Sequence, residues 1–76
     1  MNNNRRKRIG KLIEMLTNVK TELEVIMYEE QTSLNSLPEP FQDSEYGDAM
    51  QEAIDNMEEA LSYMEELTAV LDEARS

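Results

Sequence analysis

The chain contains no cysteine, no histidine and no tryptophan among its 76 residues, and only two glycines and two prolines. Without cysteine it has no disulfide to stabilise a small core. Without cysteine and histidine it also lacks the ligands that zinc and most transition metals prefer. A single core in a chain below about 80 residues rarely supplies more than about 3–5 kcal/mol. The sequence therefore predicts that the protein gains stability by self-association.

Long hydrophobic runs are absent as well, and the first eight residues are polar and basic. No segment has the length and apolar character of a signal peptide or of a membrane-spanning helix. Because disulfides are rare in the cytosol, a chain without cysteine fits that compartment. We therefore expect a cytoplasmic protein that has no membrane partner.

Basic residues are missing from most of the chain. Five lie between Arg5 and Lys11, Lys20 follows, and Arg75 is close to the carboxyl end. Residues 21–74 hold no basic residue, but they hold sixteen of the seventeen carboxylates. The resulting net charge of −10 favours solubility and disfavours nucleic acid as a partner for most of the surface.

Two apolar stripes with the spacing of packed helices lie on either side of a proline-containing segment. Helix 1 is predicted over about residues 5–31 and helix 2 over about residues 45–74, with Asp43 or Ser44 as the N-cap of helix 2. The stripe of helix 1 alternates in steps of three and four: Ile9, Leu12, Leu16, Val19, Leu23 and Ile26, with Ile13 and Met27 beside it. The stripe of helix 2 does the same: Met50, Ile54, Met57, Leu61, Met64, Thr68 and Leu71.

The segment between the helices, residues 32–44, contains two prolines that interrupt any continuous helix. It also contains three side chains that are too apolar for a free linker, Leu34, Leu37 and Phe41. We expect these three to fold back and plug the open end of the hairpin. This loop is therefore predicted to be ordered.

Together these features predict an all-α fold, an antiparallel helix-loop-helix hairpin that forms one domain over residues 1–76 and dimerises into a four-helix bundle. The methionines at seam positions are interpreted as core filler in preference to an adaptable binding groove. The residues predicted to take part in self-association are Leu16, Leu23, Met50, Met57, Leu61 and Met64.

An antiparallel hairpin would place the basic start of helix 1 beside the acidic end of helix 2. We therefore expect one cluster of ion pairs between two groups of residues, Arg5, Arg6, Arg8 and Lys11 on one side and Glu65, Glu66, Asp72 and Glu73 on the other. Lys20 is expected near Glu58 and Glu59. Because exposed pairs contribute only about 0–1 kcal/mol each, they would specify orientation more than stability.

The acidic residues also raise the question of a metal site. Di-iron helical bundles use Glu-x-x-His motifs, and this chain has no histidine. The pairs Glu45-x-x-Asp48 and Glu52-x-x-Asp55 match the helix 2 pattern of all-helical, magnesium-dependent pyrophosphohydrolases, but helix 1 offers no Glu-x-x-Glu partner. We therefore predict no catalytic, cofactor-binding or metal-binding residue and no enzymatic activity. A carboxylate-metal hydrolase is the least favoured alternative.

Residues 37–60, LPEPFQDSEYGDAMQEAIDNMEEA, resemble the central segment of small acidic two-helix proteins of unassigned function that are common in Firmicute genomes and their prophages. Those proteins share a helix, a turn with proline followed by a hydrophobic residue, glutamine and serine, and a second helix rich in alanine and glutamate. The resemblance implies a helical hairpin and a phage or prophage accessory role.

The sequence thus predicts a protein-protein interaction module that binds itself and a second, unidentified protein. An alternative is an acidic mimic of DNA that inhibits a nucleic-acid-binding protein of host defence. The candidate partner-binding residues are acidic or aromatic residues of helix 2: Glu52, Asp55, Glu59, Glu66, Tyr46 and Tyr63. A DNA mimic would use the exposed carboxylates, whereas an ordinary protein partner would be held by the methionine and leucine stripe, and the sequence leaves both surfaces open.

Overall fold

A computed structural model describes residues 1–76 as three helices and no strand: α1 at Asn3–Asn35, α2 at Glu39–Gln42 and α3 at Glu45–Arg75. α1 and α3 pack against each other along their length, so the predicted all-helical hairpin is confirmed. The Cα atoms span 58 × 15 × 11 Å, so the molecule is a rod two helices wide. None of the helices is both long enough and apolar enough to span a membrane.

α1 is longer than predicted at both ends. It begins at Asn3 because the Asn2 side chain caps it, accepting a hydrogen bond of 2.8 Å from the Arg5 backbone N–H. It continues to Asn35, four residues beyond the predicted end, and its last turn brings Leu34 onto the buried stripe. It ends before Pro38, since the residue preceding a proline is disfavoured in a helix.

The predicted loop contains the single helical turn α2. Pro40 is tolerated in this turn because the backbone N–H groups of a first turn have no partner within the helix. Gln42 ties α2 to the segment that follows α1 by donating from Nε2 to the Leu37 carbonyl oxygen at 2.8 Å, and the same Nε2 lies 3.5 Å from the carbonyl oxygen of Asn35, the last residue of α1. Ser44 then caps α3 by accepting a hydrogen bond from the Gly47 backbone N–H, so Ser44 is the N-cap of the two candidates.

The core lies at the loop end of the hairpin. Its buried hydrophobic side chains are Leu34, Met50 and Ile54, and Met27, Leu37 and Met57 pack around them. Leu34 and Leu37 therefore close this end of the hairpin as predicted. The same prediction is wrong for Phe41, which is 57% exposed. α2 turns the Phe41 carbonyl oxygen, and not the ring, toward α3.

α2 and α3 meet at Gly47, a buried residue in the first turn of α3. A Cβ atom at this position would overlap the Gln42 carbonyl group and would lie 2.8 Å from the Phe41 carbonyl oxygen. Real Cβ atoms do not approach backbone atoms so closely. Since its φ angle is not positive, Gly47 is required for space and not for an unusual backbone conformation.

Candidate functional site

The seam between the helices determines which apolar side chains remain on the surface. On α3 the predicted stripe is confirmed, because all seven of its members are buried or half-buried. On α1 only Ile9, Leu16 and Leu23 of the predicted stripe are half-buried. The prediction is wrong for the other three members, Leu12, Val19 and Ile26, which are exposed. Their places in the seam are taken by Ile13, Lys20, Met27 and Leu34.

This difference has a simple geometric reason. Ile13, Lys20, Met27 and Leu34 form one line with a seven-residue period, and the exposed residues form another such line on the opposite side of Leu16 and Leu23. The α3 stripe can cover only one of the two lines. The hairpin covers the line that ends at Leu34, because Leu34 reaches the core at the loop end.

One side of the hairpin is polar. Three grooves bring flanking residues of both helices together: Thr17 lines a groove with Glu65, Gly10 with Asp72, and Gln31 with Gln51. Since these residues repeat every seven positions on each helix, they define a continuous side of the rod. We call it the polar face, and its residues are Gly10, Thr17, Glu24, Gln31, Gln51, Glu58, Glu65 and Asp72.

The opposite side of the hairpin is apolar, and we call it the apolar face. It consists of Leu12, Val19 and Ile26 on α1 and Ala53, Ala60, Leu67 and Ala74 on α3. Val19 is 54% exposed and Leu67 is 46% exposed. A shallow groove on α1, lined by Val19, Leu23 and Ile26, has no polar wall other than Asn18 and Glu22. Tyr63 and Val70 extend the apolar surface at the outer edge of α3.

The ion pair of Lys20 shows the register of the hairpin, since its Nζ atom lies 2.9 Å from Oε1 of Glu65. The predicted pairing with Glu58 and Glu59 is therefore wrong by about two turns, as those residues lie closer to the loop. The hydrogen bond to Glu65 raises the pKa of Lys20, and attraction to Glu65 and Glu24 adds to the effect, whereas partial dehydration opposes it. A raised lysine pKa contributes stability that is present below the ordinary lysine value and is lost only in strong alkali.

The predicted ion-pair cluster at the termini is absent. Arg5, Arg6, Arg8 and Lys11 form no ion pair, and the second ion pair of the molecule joins Arg75 to Asp72 of its own helix at 2.7 Å. The reason is that consecutive residues point about 100° apart around a helix, so a run of basic residues cannot face one neighbour. Most of these positive charges point outward from the hairpin.

The predicted partner-binding carboxylates, Glu52, Asp55, Glu59 and Glu66, are all exposed. Three of them belong to a line with a seven-residue period on the side of α3 that faces away from α1: Glu45, Glu52, Glu59, Glu66 and Glu73. We call these five residues the carboxylate line, and none of them forms an ion pair. The constant spacing was visible in the sequence.

Asp55 lies beside the carboxylate line and accepts a hydrogen bond of 2.9 Å from Gln51. The two predicted tyrosines, Tyr46 and Tyr63, are also exposed. The Tyr63 hydroxyl donates to Oε1 of Glu59 at 2.8 Å, which holds one tyrosine against the carboxylate line. The structure therefore brings four of the six candidate residues onto one surface of α3, with Asp55 at its edge. Tyr46 lies elsewhere, one heptad before Ala53 on the line of the apolar face.

The predicted self-association residues occupy a different place. All six of them, Leu16, Leu23, Met50, Met57, Leu61 and Met64, lie in the seam between α1 and α3, and Met50 is buried. Their side chains therefore pack mainly against the other helix of the same chain. Of the exposed apolar side chains next to them on the apolar face, the sequence pattern assigned Leu12, Val19 and Ile26 to the seam.

No three carboxylates lie close enough together to hold a metal ion. No protein-family model, no curated protein and no solved structure matches the chain. The molecule is thus defined by its fold and its surfaces: a long two-helix rod with one polar face, one apolar face and a line of carboxylates along the back of α3.

Proposed function

We propose that this protein is a non-enzymatic interaction module that self-associates through its apolar face, as a four-helix bundle, and binds a second protein. The apolar face is the observation that supports the proposal most directly. Only three hydrophobic side chains are buried in the chain, whereas Leu12, Val19, Ile26, Leu67 and Val70 are all exposed. An apolar surface of this extent on a small domain is typical of a binding surface.

The surface area supports the same proposal. The chain exposes 5846 Å², whereas a compact monomer of 8.8 kDa is expected to expose about 4,800 Å². The excess of about 1,000 Å² is similar to the roughly 800 Å² that each partner buries in a standard protein interface. The radius of gyration, 17.3 Å, also exceeds the value of about 11 Å expected for a compact domain of this length.

Self-association through the apolar face would leave the carboxylate line free. Those five carboxylates lie on the back of α3, on the side away from α1, and Tyr63 is held against them by its hydrogen bond to Glu59. We assign the second partner to this surface because it combines charge with an exposed aromatic side chain, a type that suits interfaces. A phage or prophage accessory protein acting in the cytoplasm is the setting that we propose, on the resemblance of residues 37–60.

A lysine on the apolar face should abolish self-association. We expect wild-type protein to sediment as a dimer at micromolar concentration and Val19→Lys to sediment as a monomer, because the dimer would bury an unpaired charge. Thr21→Lys is the matched control, since it adds the same charge two residues away on the exposed outer side of α1. Sedimentation equilibrium measures both. A wild-type monomer with a cooperative melt, or equal effects of the two lysines, would contradict self-association through this face.

The carboxylate line supports a second candidate, inhibition of a nucleic-acid-binding protein by mimicry of DNA. Its five charges are exposed and have no basic partner in the chain. A basic groove would be attracted to such a line over a range set by the Debye length, about 10 Å at 0.1 M salt. The acidic body of the protein, with its net charge of −10, would add to this attraction.

Salt and duplex DNA distinguish this candidate from an ordinary protein interaction. If the protein is a DNA mimic, the protein that co-purifies from its host should be released by duplex DNA and should bind far more weakly at about 0.5 M than at 0.05 M salt. Changing Glu52, Glu59 and Glu66 to glutamine should have the same effect. The control changes Glu14, Glu24 and Glu58 to glutamine, which removes equal charge elsewhere. Binding that tolerates salt and all six changes would exclude the mimic.

A further inference from the structure

The apolar face is nearly symmetric about its own centre. On α1, Leu12 and Ile26 lie one heptad on either side of Val19, and on α3 Ala60 and Ala74 lie one heptad on either side of Leu67. Because Lys20 lies beside Glu65 and Gly10 beside Arg75, Val19 and Leu67 are level to within about one residue. A two-fold axis that crosses the rod at these two residues would therefore place the apolar line of each helix against the same line of a second copy. An interface between identical surfaces requires such a match.

Charge along the rod selects the direction of the second copy. The terminal end, residues 1–12 and 66–76, has six basic and three acidic residues, a net charge of +3. The loop end, residues 28–52, has seven acidic residues and no basic one, a net charge of −7. Two copies with their loops at the same end would bring like charges together at both ends. Two copies with their loops at opposite ends would place each positive end beside a negative one.

The charges on α1 alone favour the same direction. Its first turn has no acidic residue and its last turn has no basic residue, so its charged side chains do not complement its dipole. Arg5, Arg6 and Arg8 lie near the positive end of that dipole, whereas Glu29 and Glu30 lie toward the negative end. None of these five residues forms an ion pair within the chain. An antiparallel α1 from a second copy would supply the missing opposite charges.

From these observations we infer that a second copy of this chain docks on the apolar face with its loop at the opposite end, about a two-fold axis through Val19 and Leu67. This inference rests on the proposed self-association and adds its geometry. α1 then packs against α1 of the second copy, with Leu12 beside Ile26, and α3 packs against α3, with Ala60 beside Ala74. At the edge of the α1 pair, Arg8 of each copy lies opposite Glu29 of the other.

Distances between spin labels measure the direction of the second copy. The chain has no native cysteine, so Asn4→Cys and Glu39→Cys each provide one label, at the terminal end and at the loop end. In the inferred dimer the two labels at position 4 are thirty helical residues apart along the axis, about 45 Å. The labels at position 39 are separated at least as widely. With loops at the same end, helices about 8–10 Å apart would keep each pair of labels within about 30 Å.

A charge exchange tests the residue that lies opposite Arg8. Arg8→Glu alone and Glu29→Arg alone should each weaken the dimer, with a dissociation constant raised by about tenfold, because each places two like-charge pairs across the interface. The double variant Arg8→Glu/Glu29→Arg should return close to the wild-type value. Lys7→Glu combined with Glu29→Arg is the matched control, since Lys7 points away from the apolar face, and it should show no such recovery.

Sedimentation and label distances together assign each outcome to one proposal. Long distances at both positions, with recovery in the double variant, support the inferred dimer. A dimer with short distances, or a double variant no tighter than the single ones, overturns the inferred geometry and leaves the proposed self-association intact. A monomer at every concentration overturns both.

Discussion

Gly47→Ala should remove most of the stability of the hairpin. In an ordinary helix the same change is favourable by about 1 kcal/mol. Here the added Cβ would overlap the Gln42 carbonyl group and press on the Phe41 carbonyl oxygen. Backbone atoms cannot move aside as a flexible side chain can, so we expect a loss of about 2–3 kcal/mol. For a domain of this size that loss lowers the melting temperature by about 10–20 °C, which circular dichroism at fixed protein concentration would measure.

The chain has its own control for this experiment, because it contains one other glycine. A Cβ atom at Gly10 would meet only the Nη1 atom of Arg75, at 3.0 Å, and that atom is the end of a long, flexible, half-buried side chain. Gly10→Ala should therefore raise the melting temperature by a few degrees through helix propensity. If both alanine variants melt together, the close approach of α2 to Gly47 does not limit the stability of the fold.

The requirement for Gly47 illustrates a kind of information that the sequence pattern does not contain. The stripe of α3 is predictable because the apolar line beside it is mostly alanine, so that the larger hydrophobic side chains mark a single stripe, and this stripe is confirmed throughout. The contact at Gly47 depends on how the backbone of α2 turns between two prolines, which no periodicity encodes. The same turn leaves Phe41 exposed, although its apolar character suggested a buried position.

For α1 the sequence predicts the helix correctly but assigns the wrong apolar line to the seam with α3. It carries two apolar lines that share Leu16 and Leu23 as neighbours, and the sequence pattern alone favours the line through Val19 because its members are all aliphatic. The structure packs into the seam the line that contains Lys20, a residue that patterning would exclude from a seam. Lys20 is accommodated because its long stem packs in the seam while its Nζ atom reaches Glu65 at the edge.

The charges were also misplaced for a physical reason. Their distribution along the chain predicted ion pairs between the start of α1 and the end of α3 of one hairpin, and those pairs are absent. Ion pairs depend on the angular position of each residue, and residues 5–8 point in four directions around α1. The basic cluster therefore stays unpaired in one chain, which leaves its charges available to a second copy.

The core and the apolar face should respond differently to the same substitution, and the largest effect is expected at Ile54. This side chain is 2% exposed and lies between Leu34 and Met50 in the core. Ile54→Ala should cost about 2–4 kcal/mol, from lost burial and the cavity that remains. Because a core of this size supplies only about 3–5 kcal/mol, the variant should be largely unfolded at room temperature when dilute. Urea titration followed by circular dichroism would measure the loss.

Ile26→Ala is the matched change on the apolar face, where Ile26 is 49% exposed. In the monomer it should be nearly neutral, because the small loss of burial is offset by the higher helix propensity of alanine. In the dimer it removes a contact made twice, so it should weaken association. The melting temperature of the wild type should rise with protein concentration, since binding between folded chains stabilises them. Ile26→Ala should match the wild type when dilute and fall below it when concentrated. A constant difference at all concentrations would place Ile26 in the core and contradict the division of apolar residues between seam and face.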